Sequence, residues 1–290
     1  MTRKRDRRSS PPSFGSRNKP PAAGGPTRKP APNAEQPLAR LGRRDRTGER
    51  SEAKVSLIYG FHSVAAALKA PQRKLIRLYA TPAAAERLSG EIAASGLETR
   101  IMSSEEISAR SPREAVHQGL LLEARPLAPI GVADLPAKGL VLVLDQITHP
   151  HNVGAILRTG AAFAVDALVT TERHSPELAG ALAKSASGGL EHVPICSVPN
   201  LARALADMGD MGYWRIGLDS EAIVRLTDEA LTRPLALVLG AENRGLRRLT
   251  RERCDRLARL DLPGAIKSLN VSNACAIALA LVHERISAQT

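Results

Sequence analysis

Uninterrupted runs of apolar residues recur through the second half of the chain. Residues 140–144 and 235–239 contain no polar position, and the first run ends directly at Asp145. Such runs are typical of strands buried on both faces, as in a parallel sheet covered by helices. Further strands are predicted at 167–170, 193–197, 213–218 and 257–260, and helices at 152–163, 176–185, 201–208 and 268–286. This alternation predicts a parallel α/β domain over residues 140–290.

The pattern before this region predicts a smaller α/β domain over residues 55–125. Strands are expected at 57–59, 75–79, 99–102 and 120–124, with helices at 60–68 and 82–94. Gly96 would end the second helix in a left-handed conformation. Ser103 and Glu106 have the spacing of a capping box that opens another short helix. A linker with several Pro and Gly residues, 126–139, joins the two domains.

Charge is concentrated at the start of the chain. The formal net charge is +12, and residues 1–54, with 15 basic and 5 acidic side chains, contribute +10 of it. This segment also holds 8 of the 20 prolines and few large apolar side chains. It cannot bury enough surface to offset the entropy of ordering, so we predict a disordered basic tail. Such a tail fits an anionic partner such as RNA, or a solubilising extension.

Several classes of protein are disfavoured. The sequence has no apolar run of transmembrane length and no secretory h-region after its basic start, so no membrane association is expected. The start is Arg-rich and Ser-containing, as in some transit peptides, but it is Pro-rich and not amphipathic. The three widely spaced cysteines favour a reducing, cytoplasmic location. The few scattered aromatic residues disfavour recognition of RNA by rows of stacked bases.

Three loops that follow buried strands carry most of the polar chemistry of the second domain. The first runs from Asp145 to Gly154 and on to Arg158, the second from Gly240 to Gly245, and the third covers residues 262–272. Ligands of open α/β sheets bind beyond the carboxyl ends of the strands. The loops are therefore the predicted site.

Common site motifs do not fit these loops. The two glycines of the second loop have P-loop spacing, but Leu246 stands where that motif requires Lys. No G-x-G-x-x-G pattern follows a strand, which disfavours a Rossmann dinucleotide site. His149 and His151 could bind a metal, yet without a nearby Cys or second His pair they are better explained as loop residues. Ser268 lacks the G-x-S-x-G context of an esterase nucleophile.

Taken in order, the three loops resemble the motifs of the SpoU (TrmH-like) branch of the SPOUT superfamily of RNA 2′-O-ribose methyltransferases. The motifs are N-x-G-x-x-x-R, G-x-E-x-x-G and a core S-L-N-V-S. The matching residues are Asn152, Gly154 and Arg158, then Gly240, Glu242 and Gly245, then residues 268–272. The resemblance covers residues 55–288 and includes the segments Tyr59-Gly60-Phe61-His62 and His117-Gln118-Gly119.

Within this family the layout is most similar to that of bacterial enzymes that methylate a guanosine of 23S ribosomal RNA. The resemblance implies a small, ribosomal-protein-like α/β domain at 55–125 that binds the RNA substrate. It implies a SpoU methyltransferase domain at 140–290 with a C-terminal trefoil knot, a rare exception to unknotted topology. It also implies a homodimer in which each site takes residues from its partner. The methyl donor would be S-adenosyl-L-methionine, and no metal would be needed.

The resemblance also assigns catalytic roles. Arg158 is the family's proposed catalytic residue. Because arginine stays protonated in proteins, we expect it to orient a phosphate and to stabilise the developing alkoxide. Asn152 would cap its helix and also lie in the active site, and Glu242 would pair with Arg158 or fix its loop. Ser268 and Asn270, at the start of the last helix, would cap it or contact the substrate.

The methyl donor would be held largely by backbone groups of Gly240, Leu260, Leu269 and their neighbours. At Gly240 the missing Cβ would permit a ligand to approach closely. Core packing is the alternative explanation for Leu260 and Leu269.

The positions that depart from the family pattern are not among the residues to which the resemblance assigns catalytic or binding roles. His149 stands where the family commonly has Asp, and Asn243 replaces a frequent Gly. A non-catalytic RNA-binding or ribosome-assembly protein on this fold would be expected to have lost Arg158, Glu242 or Asn270, and all three are present. A transfer-RNA ribose methyltransferase of the same family is the alternative within enzymes.

Overall fold

A computed structural model describes residues 54–113, 115–173, 175–242 and 244–288. The tail predicted at 1–54, except for Lys54, and the motif position Asn243 lie outside these residues. The strands of the described residues form a four-stranded and a seven-stranded sheet. No helix of the described residues is long and apolar enough to cross a membrane.

The smaller sheet is mixed. Its strands are β1 (Ser56–Tyr59), β2 (Leu75–Ala80), β3 (Thr99–Ile101) and β4 (Leu120–Ala124), in the order β1-β4-β2-β3. Strand β4 is antiparallel to β1 and β2, and β3 is parallel to β2. The helices are α1 (Phe61–Lys69), α2 (Pro82–Arg87), α3 (Ser89–Ser95) and α4 (Ser104–Arg110).

The single helix predicted over 82–94 is wrong, because α2 and α3 are separate. The chain leaves helical geometry at Leu88, where φ is −110° and ψ is 17°. Ser89 and Gly90 follow, both weaker helix formers than Ala, and Leu88 is buried in the core. Two local predictions are confirmed: Gly96 ends α3 with φ 61°, and Ser103 and Glu106 form the capping box of α4.

The two N-terminal segments that carry the family resemblance meet beside the smaller sheet. The Gln118 side-chain Oε1 accepts a hydrogen bond from the backbone N–H of Phe61 at 3.0 Å. Gly119 has φ 76°, and a Cβ there would lie 2.5 Å from the Thr81 hydroxyl oxygen. These positions therefore hold the loops around the sheet together, which explains why this pattern of residue types occurs there.

The larger sheet is entirely parallel among the described residues, with the order β7-β6-β5-β10-β8-β11-β9. Its strands are β5 (Leu140–Asp145), β6 (Ala167–Thr171), β7 (Ile195–Val198), β8 (Trp214–Leu218), β9 (Val224–Arg225), β10 (Leu235–Gly240) and β11 (Arg256–Arg259). The associated helices are α5 (Pro150–Ala162), α6 (Gly180–Ala186), α7 (Leu201–Asp210), α8 (Arg248–Glu252) and α9 (Val271–Ser287). The short strand β9 was not predicted.

Burial on both faces explains the uninterrupted apolar runs. Strands β5 and β10 are neighbours, with Leu140 opposite Leu235. Alternate residues of each strand enter two different cores. Leu142 packs in the core that contains residues of α5 and α9, whereas Val143 packs in the core that contains residues of α7. The prediction of a parallel sheet covered by helices is confirmed.

Helix α6 begins at Gly180, four residues later than predicted. The preceding loop is held by side-chain hydrogen bonds instead of helical ones. The Thr170 and Ser175 hydroxyls lie 2.7 Å apart, and Ser175 Oγ donates to the Thr171 carbonyl at 2.6 Å. Serine and threonine compete with helical backbone bonds in this way.

A buried ion pair joins the region of the smaller sheet to the larger one. Arg73, which follows α1, donates from Nε and Nη2 to the two carboxylate oxygens of Glu191, at 2.9 and 2.5 Å. Glu191 ends the short 3-10 turn Gly189–Glu191, and this turn packs against α5. A Cβ on Gly189 would lie 2.7 Å from the Leu157 carbonyl oxygen. The Arg73–Glu191 ion pair thus links the region of the smaller sheet to helix α5 through this turn.

Candidate active site

The three predicted loops gather at the carboxyl edge of the larger sheet. Strand β10 pairs in parallel with both β5 and β8, so the loops after these strands emerge side by side. The loop after β11 closes the same edge and leads into α9. A fourth segment, residues 218–221 at the end of β8, also lines the site. The sequence analysis missed it, although Asp219 directly follows a predicted strand.

One residue from each predicted loop contributes to a hydrogen-bonded cluster. Asn152 Nδ2 donates to Glu242 Oε1 at 2.7 Å, and Asn270 Nδ2 donates to the same oxygen at 2.5 Å. Asn270 Nδ2 also lies 3.1 Å from Asn152 Oδ1. The backbone N–H of Val271 points to Glu242 Oε1 from 3.4 Å. Of the two roles predicted for Glu242, the structure shows the fixing of the loops.

The prediction that Asn152 caps its helix is wrong. Helix α5 begins two residues earlier, at Pro150, and His149 occupies the N-cap position. Proline is favoured at the first helical position because its φ is already helical and it has no N–H to satisfy. Asn152 therefore lies inside the first turn, where its side chain turns to Glu242.

The two motif residues before α9 have different positions. Asn270 is the N-cap, and its Oδ1 accepts from the backbone N–H of Ser272 at 2.9 Å, which is one of the two roles expected for it. Ser268 does not cap the helix, because α9 starts at Val271 and not at residue 268. Its exposed side chain lies instead in the wall of a cleft.

Arg158 stands apart from this cluster. It lies on α5, six residues after Asn152, which corresponds to about 9 Å along the axis. Its side chain is exposed and makes no hydrogen bond or ion pair with another described residue. The alternative in which Glu242 pairs with Arg158 is thus not realised within one chain. Gly154, from the same motif, has a packing role, since a Cβ there would lie 2.5 Å from Ser185 Cβ of α6.

The first of two adjoining clefts has a volume of about 340 Å³. Gly240, Leu260, Ser268 and Leu269, four of the predicted site residues, line it together with Glu242. Its polar wall also includes side chains that were not predicted, namely Asp219, Glu221, Arg251 and Lys267. The volume falls in the range of small-molecule sites, about 300 to 1,000 Å³.

Glycine is required at 240 for a reason different from the one expected. A Cβ at this position would lie 2.3 Å from the Gly245 carbonyl carbon and 2.5 Å from the Leu246 nitrogen. The loop folds back over its own start, with the Gly245 N–H bonded to the Ala241 carbonyl at 2.8 Å. Gly245 itself has φ 62°, which favours glycine. The two motif glycines therefore shape the loop that lines the cleft.

The second cleft, of about 410 Å³, lies on the other side of Glu242. His149, Asn152 and Thr148 line it, and Glu242 and Arg244 contribute to the walls of both clefts. The Arg244 side chain is exposed and has no hydrogen bond or ion pair with another described residue. It therefore presents a fixed positive charge between the clefts. The sequence analysis missed Arg244, although it lies inside the second motif.

A buried carboxylate ties two of these loops together. Asp145, fully buried at the end of β5, accepts from the Arg247 backbone N–H at 2.8 Å and from its Nε at 2.6 Å. A charged residue directly after an apolar strand was the sequence signal for this link.

Two histidines, His149 and His151, lie next to the cluster. The rings of His149 and His151 lie 5.5 Å apart. Across the described residues, no group of three or more His, Cys, Asp and Glu side chains is placed to hold a metal ion.

The parallel sheet and the two adjoining clefts at its carboxyl edge, which share the Glu242 cluster, have the architecture of an α/β enzyme. Comparison with known proteins gives the family. The family model described as "SpoU rRNA Methylase family" matches residues 139–280. The model "RNA 2'-O ribose methyltransferase substrate binding" matches residues 57–130. The chain therefore belongs to the SpoU rRNA methylase family, as the three motifs had indicated.

Named relatives agree with this assignment over most of the chain. The 23S rRNA (guanosine-2'-O-)-methyltransferase RlmB of Pasteurella multocida is 36% identical, covering 79% of this chain and 98% of its own. The RlmB of Yersinia pestis is also 36% identical, covering 77% and 94%.

Solved structures share the fold. The SpoU methyltransferase AviRb from Streptomyces viridochromogenes superposes with a TM-score of 0.70 at 20% identity, over 83% of this chain and 93% of its own. An AdoMet-bound rRNA methyltransferase from Sinorhizobium meliloti gives a TM-score of 0.69 at 20% identity, over 81% and 89%.

Proposed function

We propose that this protein transfers a methyl group from S-adenosyl-L-methionine to a ribose 2′-hydroxyl of RNA, with a guanosine of 23S ribosomal RNA as the substrate. The observation that carries the proposal is the Asn152–Glu242–Asn270 cluster between two adjoining clefts. The relatives named for this activity match along almost their whole length. Their similarity favours ribosomal over transfer RNA, and the presence of Arg158, Glu242 and Asn270 favours catalysis over RNA binding alone.

The first cleft is the proposed site of S-adenosyl-L-methionine. The backbone around Gly240, Leu260 and Leu269 would hold the nucleoside, and the exposed Glu221 can accept hydrogen bonds from hydroxyl or ammonium groups. AviRb, which shares the fold, has been crystallised with AdoMet. The sulfonium of the donor already makes methyl transfer favourable, so the protein has mainly to position and deprotonate the acceptor hydroxyl. No metal is required for this chemistry.

The second cleft is the proposed site of the acceptor ribose. Asn152 and Asn270 would hold Glu242 in place, and Ser268 would contact substrate from the wall of the adjoining first cleft. Arg158 would orient a backbone phosphate and stabilise the developing alkoxide. Because Arg158 is exposed and distant from the cluster in its own chain, we propose a homodimer in which α5 of the partner delivers this arginine.

The remaining organisation follows from the same proposal. Residues 55–125 would bind the RNA, with 126–139 as a linker to the methyltransferase domain at 140–290. The fold shared with AviRb supports a C-terminal trefoil knot around α9. The ribosomal substrate and the free cysteines are consistent with action in the cytoplasm. The basic residues of 1–54 would add salt-sensitive, non-specific affinity for RNA.

Transfer of radiolabelled methyl groups tests this function. The substrates are 23S, 16S and transfer RNA from a strain that lacks the enzyme. We expect label on 23S RNA alone, with a loss of at least about 100-fold in Arg158→Ala. Arg203→Ala is the matched control, because Arg203 is also an exposed helical arginine whose side chain makes no hydrogen bond or ion pair with another described residue. Label on transfer RNA would contradict the proposed substrate. The absence of label from every RNA would contradict the proposed methyltransferase activity.

A further inference from the structure

Five arginines lie within the ten residues that begin inside the second motif loop and run through α8. Residues 244–253 hold these five and one acidic residue, Glu252, so the segment carries +4, whereas residues 55–290 as a whole carry only +2. Positive charge concentrated in this way favours an anionic partner. The segment borders the proposed active site, because Arg244 and Arg251 line the first cleft.

Two of these arginines are held by carboxylates that are shielded from solvent. Arg247 Nε donates to Asp145 at 2.6 Å, and Arg251 Nη1 donates to Asp219. The two aspartate side chains are 0% and 10% exposed, whereas the two arginine side chains are 46% and 43% exposed. Arg247 keeps its two terminal nitrogens, and Arg251 its Nε and Nη2, without a partner among the described residues. Each guanidinium group is therefore oriented by one bond and keeps a pair of neighbouring donors for another partner.

The two anchored arginines lie together at the carboxyl edge of the larger sheet. They are four residues apart, which places side chains on the same side of a helix. Their carboxylate partners come from the end of β5 and from the loop after β8, and these strands lie on either side of β10. Helix α8 packs against α7, which contributes to one core, whereas α5 contributes to the other. The proposed dimer contact through α5 is thus on the opposite face of the sheet.

We propose that Arg247 and Arg251 bind phosphate groups of the RNA backbone beside the target nucleotide, an inference that rests on the proposed function. Two neighbouring guanidinium donors match two oxygens of one phosphate. A side chain that is oriented before binding also loses less conformational entropy when the phosphate arrives. Phosphate contacts fix the position of a nucleic acid without reading its sequence. The two arginines hold the backbone in register while the acceptor ribose occupies the second cleft.

Binding of 23S RNA to the full-length protein without methyl donor, measured by filter binding between about 50 and 200 mM salt, tests this surface. We expect Arg251→Gln to weaken binding about tenfold and to lower the slope of log affinity against log salt by about 0.7 to 0.9. Arg247→Lys keeps the charge and can still pair with Asp145, but its single ammonium group then has no second donor pair for a phosphate. We expect this variant to bind about threefold more weakly.

Arg253→Gln is the matched control. Arg253 is exposed, lies two residues after Arg251 and hence on the other side of α8, and its side chain makes no hydrogen bond or ion pair with another described residue. The variant loses the same charge as Arg251→Gln but should bind RNA within about twofold of wild type.

Asp219→Asn separates the orientation of Arg251 from its charge. The variant gains one positive charge, so attraction by charge alone predicts tighter binding, whereas release of Arg251 predicts binding at least about twofold weaker. Tighter binding by Asp219→Asn, or equal losses in Arg253→Gln and Arg251→Gln, would overturn the proposal. So would an Arg251→Gln variant that weakens only donor binding in calorimetry, and unchanged RNA binding by Arg247→Lys would overturn the role of Arg247. The absence of methylation of any RNA by the wild-type protein would instead overturn the proposed function.

Discussion

Removal of Arg73 should destabilise the protein more than removal of any exposed ion pair. Arg73 and Glu191 are 5% and 8% exposed, and they share two charge-assisted hydrogen bonds at 2.9 and 2.5 Å. Arg73 Nη1 donates a third bond, to the Arg125 carbonyl, at 3.1 Å. In Arg73→Ala the Glu191 carboxylate stays buried without its partner. Breaking a buried pair from one side in this way costs about 3 to 5 kcal/mol of unfolding free energy.

Two further variants distinguish the free-energy cost of an unpaired buried charge from the cost of lost contacts. Replacing both partners, with Arg73→Met and Glu191→Leu, removes the uncompensated charge and should recover most of the lost stability. Arg248→Ala is the control for an exposed pair. Its bridge to Glu252 joins side chains that are 76% and 53% exposed, so its loss should cost only about 0.3 to 0.5 kcal/mol.

Urea unfolding of the full-length protein, followed by circular dichroism, gives the free energies to compare. The expected order of loss is Arg73→Ala first, then the double variant, then Arg248→Ala. A loss of unfolding free energy below about 1 kcal/mol for Arg73→Ala would refute the reasoning. A buried carboxylate that accepts two hydrogen bonds from one partner should lose more stability than this when the partner is removed. A double variant less stable than Arg73→Ala would refute the assignment of the cost to the buried charge.

Further predictions concern the cleft, the thiols and the tail. Gly240→Ala should weaken S-adenosyl-L-methionine binding at least tenfold in calorimetry, because its Cβ would lie 2.3 Å from the Gly245 backbone, whereas Gly264→Ala, with open space around its Cβ, should bind normally. Burial raises the pKa of the Cys254 and Cys275 thiols to about 12, so at pH 8 both should react with a thiol reagent slowly until urea is added, and fast native reaction would contradict this. Deleting residues 1–54 should lower the slope of log affinity for RNA against log salt by at least about one, and an unchanged slope would exclude the tail from binding.

Six of the seven strands of the larger sheet and three of the loops that line the site could be predicted because their signals are local. An apolar run without alternation indicates burial on both faces, and Asp145 at its end marks where a loop begins. Strand β8 lies beside β10 in the sheet, and this places the loop after β8 at the site. The loop was missed because no local sequence pattern indicates the order of the strands in a sheet. The cluster of Asn152, Glu242 and Asn270 depends on the same order, so family resemblance indicated it where spacing alone could not.

The predicted starts of α5 and α9 were both wrong, in opposite directions. The polar residue nearest a predicted start was taken as the cap, but the geometry of the preceding residues decided the start. Because proline is favoured at the first helical position, α5 begins at Pro150, two residues earlier than predicted, and His149 is the N-cap in place of Asn152. The start of α9 moved in the other direction, so that Ser268 lies before the helix and Asn270 caps it.

The chemical identity of the methylated product tests the account most directly. After reaction with labelled S-adenosyl-L-methionine, 23S RNA is digested to nucleosides and separated by liquid chromatography with mass spectrometry. The account predicts label in 2′-O-methylguanosine, at one methyl group per RNA molecule. Label on a base, or the absence of labelled nucleoside from the wild-type protein, would contradict it.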